Sequence, residues 1–179
     1  MANITILMGS SRKNGNTAAL TRAFAEGVSG EHQVRILSVA DYRILPCSGC
    51  NACYRSDGHR CIQQDDMTQI YAILQETDIL AAASPVYFYG ISAILKTLID
   101  RLHTPARSSF RIQKLGLLLV GASALPDLFE PILMQYRMIL RYFSLESIGT
   151  VLVRGVCNPG DILKTTALSE ARALGASIK

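Results

Sequence analysis

Ile4-Thr5-Ile6-Leu7-Met8-Gly9-Ser10-Ser11-Arg12-Lys13-Asn14-Gly15-Asn16-Thr17 is a short apolar, β-branched run that empties into a loop of glycines, hydroxyls and amides. Helical spacing follows over Thr17 to Val28, with Leu20 and Phe24 one turn apart and Gly27 and Gly30 ending it. The loop between strand and helix has legible physics. Hydroxyls of Ser10, Ser11 and Thr17, the Asn16 amide, free backbone N–H groups and the helix N-terminus converge on one concavity. Aligned dipoles and multiple donors there stabilise a phosphate, and Arg12 adds a full positive charge. Gly9 and Gly15 permit the tight backbone. The competing reading is a plain turn in which Thr17 or Asn16 only caps the helix. Neither G-x-G-x-x-G nor G-x-x-x-x-G-K-[ST] is present, so a monophosphate fits better than a dinucleotide or a nucleoside triphosphate.

Outward from this unit, strand and helix alternate. Gln33 to Val39, Ile79 to Ala83, Leu115 to Val120 and Ile148 to Val153 read as strands, the third run stopped by Ser84-Pro85. Leu115 to Val120 is apolar on both sides, as a central parallel strand should be. A helix capped by Asp65 or Asp66 carries Met67, Ile70, Tyr71 and Leu74; another carries Ile91, Ile94, Leu95, Leu98, Ile99 and Leu102. A fourth helix covers Pro126 to Phe143, its regular part confined by Pro131 to the second portion and apolar on more than one face. Asp161 to Ile178 reads as the closing helix. Five strands, each followed by a helix, predict an α/β fold with a parallel sheet covered on both faces. Right-handed crossovers prune it to a few doubly wound orders. With no repeat, low-complexity tract or linker, residues 1–179 read as one domain.

Hydrophobic residues make up 49% and charged ones 18% of the 179 positions, a composition that folds. Met1 to Met8 has no basic region before it and no small-residue cleavage site after it, so it reads as a buried strand and not a signal peptide. No apolar run approaches the roughly 18 residues of a membrane span, and the expectation is a soluble, cytoplasmic protein. The net charge of +4 is scattered, its richest stretch being Arg101, Arg107, Arg111 and Lys114. That suits small anionic ligands and not nucleic acid.

Ser84-Pro85-Val86-Tyr87-Phe88-Tyr89-Gly90 leaves the third strand at the same sheet edge as the phosphate loop. Successive exposed aromatics are unfavourable unless they meet something flat and apolar. An isoalloxazine ring is flat, and backbone N–H groups of this loop can reach its polar edge; core or dimer contacts are the alternative for any one of them. A monophosphate beside such a ring is the pattern that FMN fits. The motifs G-S-S-R-x-x-G-N-T, S-P-V-Y-F-Y-G and L-K-T-L-I-D-R resemble those of the NADPH-dependent FMN reductase family across positions 1 to 103. The resemblance implies a flavodoxin-like three-layer sandwich with strand order 2-1-3-4-5. It implies FMN phosphate held by Ser10, Arg12, Asn16 and Thr17, and the ring contacted by Pro85, Val86, Tyr87, Phe88 and Gly90, with Tyr89 beside them. Gly121-Ala122-Ser123 is similar to a further loop that touches the flavin. It also implies a homodimer or homotetramer, for which the extra apolar face of the fourth helix is an independent reason. Lys96, Asp100 and Arg101 read as helix-surface, ion-pairing residues. In this reading NAD(P)H delivers a hydride to the flavin, which reduces a further acceptor; no side chain is required as acid or base, so no catalytic residue is assigned.

Cys47, Cys50, Cys53 and Cys61 form C-x2-C-x2-C-x7-C inside a long loop, 41–64, and Cys157 stands alone. Closely stepped cysteines can fold thiolates around an iron–sulfur cube; zinc more often uses two separated pairs. The segment resembles the cysteine motif of the iron–sulfur flavoproteins, which carry a [4Fe-4S] cluster, with the gap before Cys61 at the long end of that pattern. The alternatives are a cluster here, in an electron carrier reduced by ferredoxin, or free thiols packing a loop, with His59 a solvated histidine. In the order 2-1-3-4-5 the loops after strands two and three leave one edge on the order of 10 Å apart, within reach of electron exchange.

Overall fold

The computed structural model describes residues 1–28 and 30–179. Strand β1 (Asn3–Met8) leads into helix α1 (Asn16–Gly27), then β2 (Gln33–Ser38), a four-residue helix α2 (Ala52–Arg55) and α3 (Met67–Glu76). Next come β3 (Ile79–Tyr87), the two-residue β4 (Gly90–Ile91), α4 (Ala93–Arg101) and β5 (Lys114–Val120). Helix α5 (Glu130–Phe143), β6 (Glu146–Val153) and α6 (Ala167–Ala176) complete the order. The sheet runs β2-β1-β3-β5-β6, all parallel, which is the expected 2-1-3-4-5 arrangement. β4 adds an antiparallel pair to the end of β3.

Side chains alternate with period two and feed two cores. Ile4, Ile6, Ile79, Ala81, Leu118, Val120 and Val151 pack under Leu20 and Phe24 of α1 and Ala167 and Ala171 of α6. Leu7, Leu80, Ala82, Leu115, Leu117 and Leu119 point the other way, onto Met67, Ile70 and Leu74 of α3, Leu95 and Leu98 of α4, and Ile132 and Tyr136 of α5. Because β1 pairs with both β2 and β3, the chain goes out one way from β1 and returns on its other side. The loops after β1 and β3 therefore diverge at the switch point, where an open α/β sheet has its crevice.

Three expectations shift. The third strand does not stop at Ser84-Pro85. It continues to Tyr87, with Pro85 in register beside Val120 near the strand end, where a missing N–H is tolerated. Asp65 Oδ1 accepts the Met67 N–H at 3.2 Å, whereas Asp66 Oδ2 turns to the Arg43 N–H at 2.7 Å. The closing helix is broken into a 3₁₀ turn over Asp161–Lys164 and then α6. Pro131 lies in the first turn of α5, where it leaves no intrahelical bond unmade. Met134, Met138 and Tyr142, one turn apart along α5, remain exposed. Among the described residues no helix is long and apolar enough to cross a membrane.

Candidate functional site

The loop after β1 is a tight turn in which Ser10 Oγ accepts the Arg12 N–H at 3.2 Å and Gly15 N–H reaches the Arg12 carbonyl at 3.0 Å. Helix α1 is preceded at its N-cap by Gly15, which has no side chain to cap it. The N–H groups of Asn16, Thr17 and Ala18 thus have no intrahelical acceptor and carry the positive end of the helix dipole. Ser10 and Thr17 are buried beside them, and Ser11, Arg12 and Lys13 are exposed at the rim. Lys13 leans on Asp41 at 3.4 Å. This donor set suits a phosphate monoester dianion. Asn16 sits differently from its neighbours. Its Nδ2 donates to the Asn158 carbonyl at 2.9 Å, and its Oδ1 accepts from Gly160 N at 3.1 Å and Ile162 N at 3.4 Å. Its side chain ties the phosphate loop to the 158–162 turn, which no short-range pattern in the sequence shows.

The aromatic loop is held against the phosphate loop by serines that the sequence reading passes over. Gly9 N–H donates to the Ala83 carbonyl at 2.8 Å, and Ser92 Oγ donates to the Gly9 carbonyl at 2.6 Å. Ser92 N–H in turn donates to Ser84 Oγ at 2.9 Å, and Ser92 Oγ caps α4 at Leu95. The approach is close enough to require glycine: a Cβ on Gly9 would lie 2.7 Å from Leu95 Cβ and 2.9 Å from Ser92 Oγ. From this base Tyr87, Phe88 and Tyr89 rise as a two-residue hairpin closed by Gly90, with all three aromatics exposed. Pro85 and Val86 are half-buried below them. On the far side Gly121 is buried, its N–H on the Val153 carbonyl at 2.8 Å, with Ala122 exposed next to it. Arg154 steadies that loop by donating to the carbonyls of Leu125 at 3.0 Å and Pro126 at 2.6 Å. The loops after β1, β3 and β5 thus leave one edge of the sheet side by side.

Residues 2–150 match the NADPH-dependent FMN reductase family. The chain belongs to that family. It is 31% identical over 180 residues to YwqN of Bacillus subtilis, provisionally described as an NAD(P)H-dependent FMN-containing oxidoreductase, covering 96% of this chain and 95% of that one. It is 38% identical over 120 residues to the iron–sulfur flavoprotein MJ1083 of Methanocaldococcus jannaschii, covering 65% of this chain and 61% of that one. The aligned stretches cover 61%, 48% and 43% of three iron–sulfur flavoproteins it matches, about half their length. An NAD(P)H:quinone oxidoreductase from Methanothermobacter marburgensis superposes with a TM-score of 0.79 over 99% of both chains at 17% identity, which is a likeness of fold.

This FMN reductase family member carries its cysteines on an excursion with a closed neck. Asp66 N–H donates to the Arg43 carbonyl at 3.0 Å, Leu45 N–H to Asp65 Oδ2 at 2.9 Å, and Gln63 Nε2 to the Pro46 carbonyl at 3.1 Å. Arg101 seals it: Nη1 donates to Asp65 Oδ2 at 2.6 Å and to the Leu45 carbonyl at 2.7 Å, with both charged side chains buried. The surface role expected of Arg101 is therefore wrong. Of the three residues, Lys96 and Asp100 form an exposed pair on the helix surface. Burial alone would raise the Asp65 carboxyl, but donation from Arg101 and from the Leu45 and Met67 N–H groups outweighs it and holds the carboxyl below the usual carboxylate range. Tyr71, whose hydroxyl donates to the Arg101 carbonyl at 2.7 Å, is pushed up to about 12 by burial.

Beyond the neck, Arg55 donates to the Cys50 carbonyl at 2.9 Å, and the exposed His59 ring meets the Cys53 carbonyl at 3.3 Å. Cys47 and Cys50 are exposed, Cys53 and Cys61 half-buried, and all are free thiols. The Ala52 N–H, with the Ser48 hydroxyl, lowers the Cys50 thiol from its usual range. Among the described residues no three or more cysteines, histidines or carboxylates are gathered as a metal site. As arranged, the quartet does not fit a cluster.

Proposed function

We propose that residues 1–179 form one FMN-binding unit that oxidises NAD(P)H and reduces a further acceptor. The observation that carries this is the hydrogen-bonded tie from Gly9 through Ser92 to Ser84, which sets an anion-binding helix N-terminus beside an aromatic hairpin at the switch point. When bound, FMN supplies hydride acceptance and release in one- or two-electron steps. The chain's own residues bind and orient it. Ser10, Thr17 and the first N–H groups of α1 take the phosphate, Asn16 fixes the turn that walls it, and residues 85–90 with Gly121 and Ala122 frame the ring. Arg12 and Ser11 lie at the solvent rim. In the same reading the protein is cytoplasmic, and the exposed Met134, Met138 and Tyr142 join copies into a homodimer or homotetramer. Anaerobic stopped-flow mixing of the FMN-loaded protein with NADPH is expected to bleach the visible flavin band within seconds. A flavin that stays oxidised would overturn the proposal.

The iron–sulfur relatives and the C-x2-C-x2-C-x7-C spacing support a second reading, an electron carrier fed by ferredoxin with a [4Fe-4S] cluster on Cys47, Cys50, Cys53 and Cys61. Gathering the four thiolates would require the excursion to rearrange beyond its neck. Anaerobically purified protein is then expected to contain about four iron and four sulfide per chain and a broad absorbance that bleaches with dithionite. Flavin bands alone, with no iron, dispose of the cluster.

A further inference from the structure

Helices α4 and α5 leave a gap over the sheet. A cavity of about 220 Å³ opens there, with Leu80, Leu115 and Leu117 as its floor, Leu95 and Ile99 of α4 on one wall and Ile139 of α5 on the other. At roughly 30 Å³ each that is room for several waters, but an ordered water needs about two to four polar partners. The lining supplies almost none. Tyr136 directs its hydroxyl to the Leu115 carbonyl at 2.6 Å and to Ser147 Oγ at 2.8 Å, and the floor strands pair their backbones within the sheet. A dry apolar cavity of this kind takes up apolar molecules. One charge stands at its edge. The 3₁₀ turn Pro105–Ser109 brings Arg107 to the lining, half-buried, with Cζ 5.3 Å from the Tyr142 ring centroid and 5.9 Å from that of Phe143. Its Nη1 reaches the Thr104 carbonyl at 3.4 Å, longer than a good N–H···O bond. Among the described residues no carboxylate pairs with it. Arg101 shows the contrast, since Asp65 answers its charge inside the fold.

We propose that this cavity is a second ligand site, separate from the crevice at the switch point, and that it holds a medium-chain fatty carboxylate. The alkyl chain lies between α4 and α5, and the carboxylate makes a forked, charge-assisted pair with the open N–H donors of Arg107. An apolar interior with one cation at its edge selects an apolar tail with an anionic head. It offers little to a hydrated ion, which has no chain to bury, and leaves the charge unanswered with a neutral hydrocarbon. The volume lies below the roughly 300–1,000 Å³ of pockets for drug-sized ligands, which limits the chain to a short one. Binding here involves no flavin and adds no chemical step.

The test is calorimetric titration of delipidated, FMN-saturated protein with sodium octanoate below its micelle concentration. Octan-1-ol, with the same chain and no charge, and acetate, with the charge and no chain, are the comparisons. Wild type is expected to take up octanoate saturably at a single site per chain, octanol more weakly and acetate not at all. Arg107→Gln is expected to weaken octanoate by about tenfold or more while octanol stays within about threefold of wild type. Ile139→Trp, which fills the cavity from α5, is expected to abolish binding of both; Arg107→Gln, at the cavity edge, keeps the test decisive if that variant fails to fold. Wild type that never saturates with octanoate overturns the inference, and so does an Arg107→Gln variant that binds octanoate as wild type does or loses octanol in step. A wild-type dimer that refuses octanoate and is split by Ile139→Trp in sedimentation overturns it too, making the gap a contact between copies. No arm depends on electron transfer, so the result is independent of whether NADPH reduces the flavin.

Discussion

Arg101→Leu is expected to lower the unfolding free energy by about 3–5 kcal/mol, the largest effect of any single substitution considered. The magnitude follows from what is left behind and not from the attraction removed. Asp65 is fully enclosed and ionised, held by Arg101 and two backbone N–H groups. Without the guanidinium the carboxylate keeps its two N–H donors and loses its counter-charge, and the Leu45 carbonyl loses its donor as well. Replacing both partners, Asp65→Leu with Arg101→Leu, removes the stranded charge and is expected to recover more than half of the loss. Urea unfolding of the two variants and wild type measures both quantities. Because the neck closes the cysteine excursion, the single variant should also expose Arg55 and Arg60 to trypsin faster than wild type. The sign with pH is fixed by the lowered Asp65 carboxyl. Its contribution is fully present above the ordinary carboxylate range near pH 4 and is lost as pH falls through its depressed folded value. A single variant as stable as wild type, with the pair confirmed absent, would mean that water reaches Asp65.

Arg101 also shows how far the sequence could be read. The five strands of the parallel sheet and the long helices were legible from period and punctuation, whereas the four-residue α2 and the two-residue β4 are too short to show a repeat, and strand order followed from family likeness. The same periodicity carried the missed signal: Leu95, Leu98 and Arg101 lie three apart, so the arginine falls on the buried stripe of α4. Its partner is 36 residues away at the end of the cysteine excursion, and pairing over that distance is set by topology. Asn16 is similar. Its side chain reads as a phosphate donor from the loop alone, and only the fold brings Asn158 and Gly160 to it across 142 and 144 residues. Ser84 and Ser92 look like ordinary loop hydroxyls until β3 is seen to continue through Pro85 and turn back at Gly90. The phosphate and aromatic loops were visible as motifs; the ties that fix one against the other were not, since hydrogen bonds between distant segments leave no local pattern.

The phosphate loop itself gives the second large effect. In Ser10→Ala/Thr17→Ala, FMN affinity is expected to fall on the order of 100- to 10,000-fold, since each hydroxyl donating to a dianion contributes about 1.5–3 kcal/mol. The lower end is the better guess, because the two hydroxyls flank one helix turn and share the same anion. Both side chains are buried, at 5% and 3% exposure, so water does not replace them fully once phosphate sits in the turn. Arg12 is the instructive contrast. It carries a full charge but stands in solvent, where salt screens it, so Arg12→Ala should weaken FMN by less than about tenfold and only at low ionic strength. Riboflavin, which has the same ring and no phosphate, separates the two halves of the site. Wild type is expected to prefer FMN strongly over riboflavin, and the double variant to bind the two with similar affinity, because what it loses is confined to the phosphate. Fluorescence titration with each flavin reads this directly. If riboflavin affinity drops in step with FMN, the hydroxyls are shaping the crevice as a whole. If neither drops, the anion lies somewhere other than the start of α1.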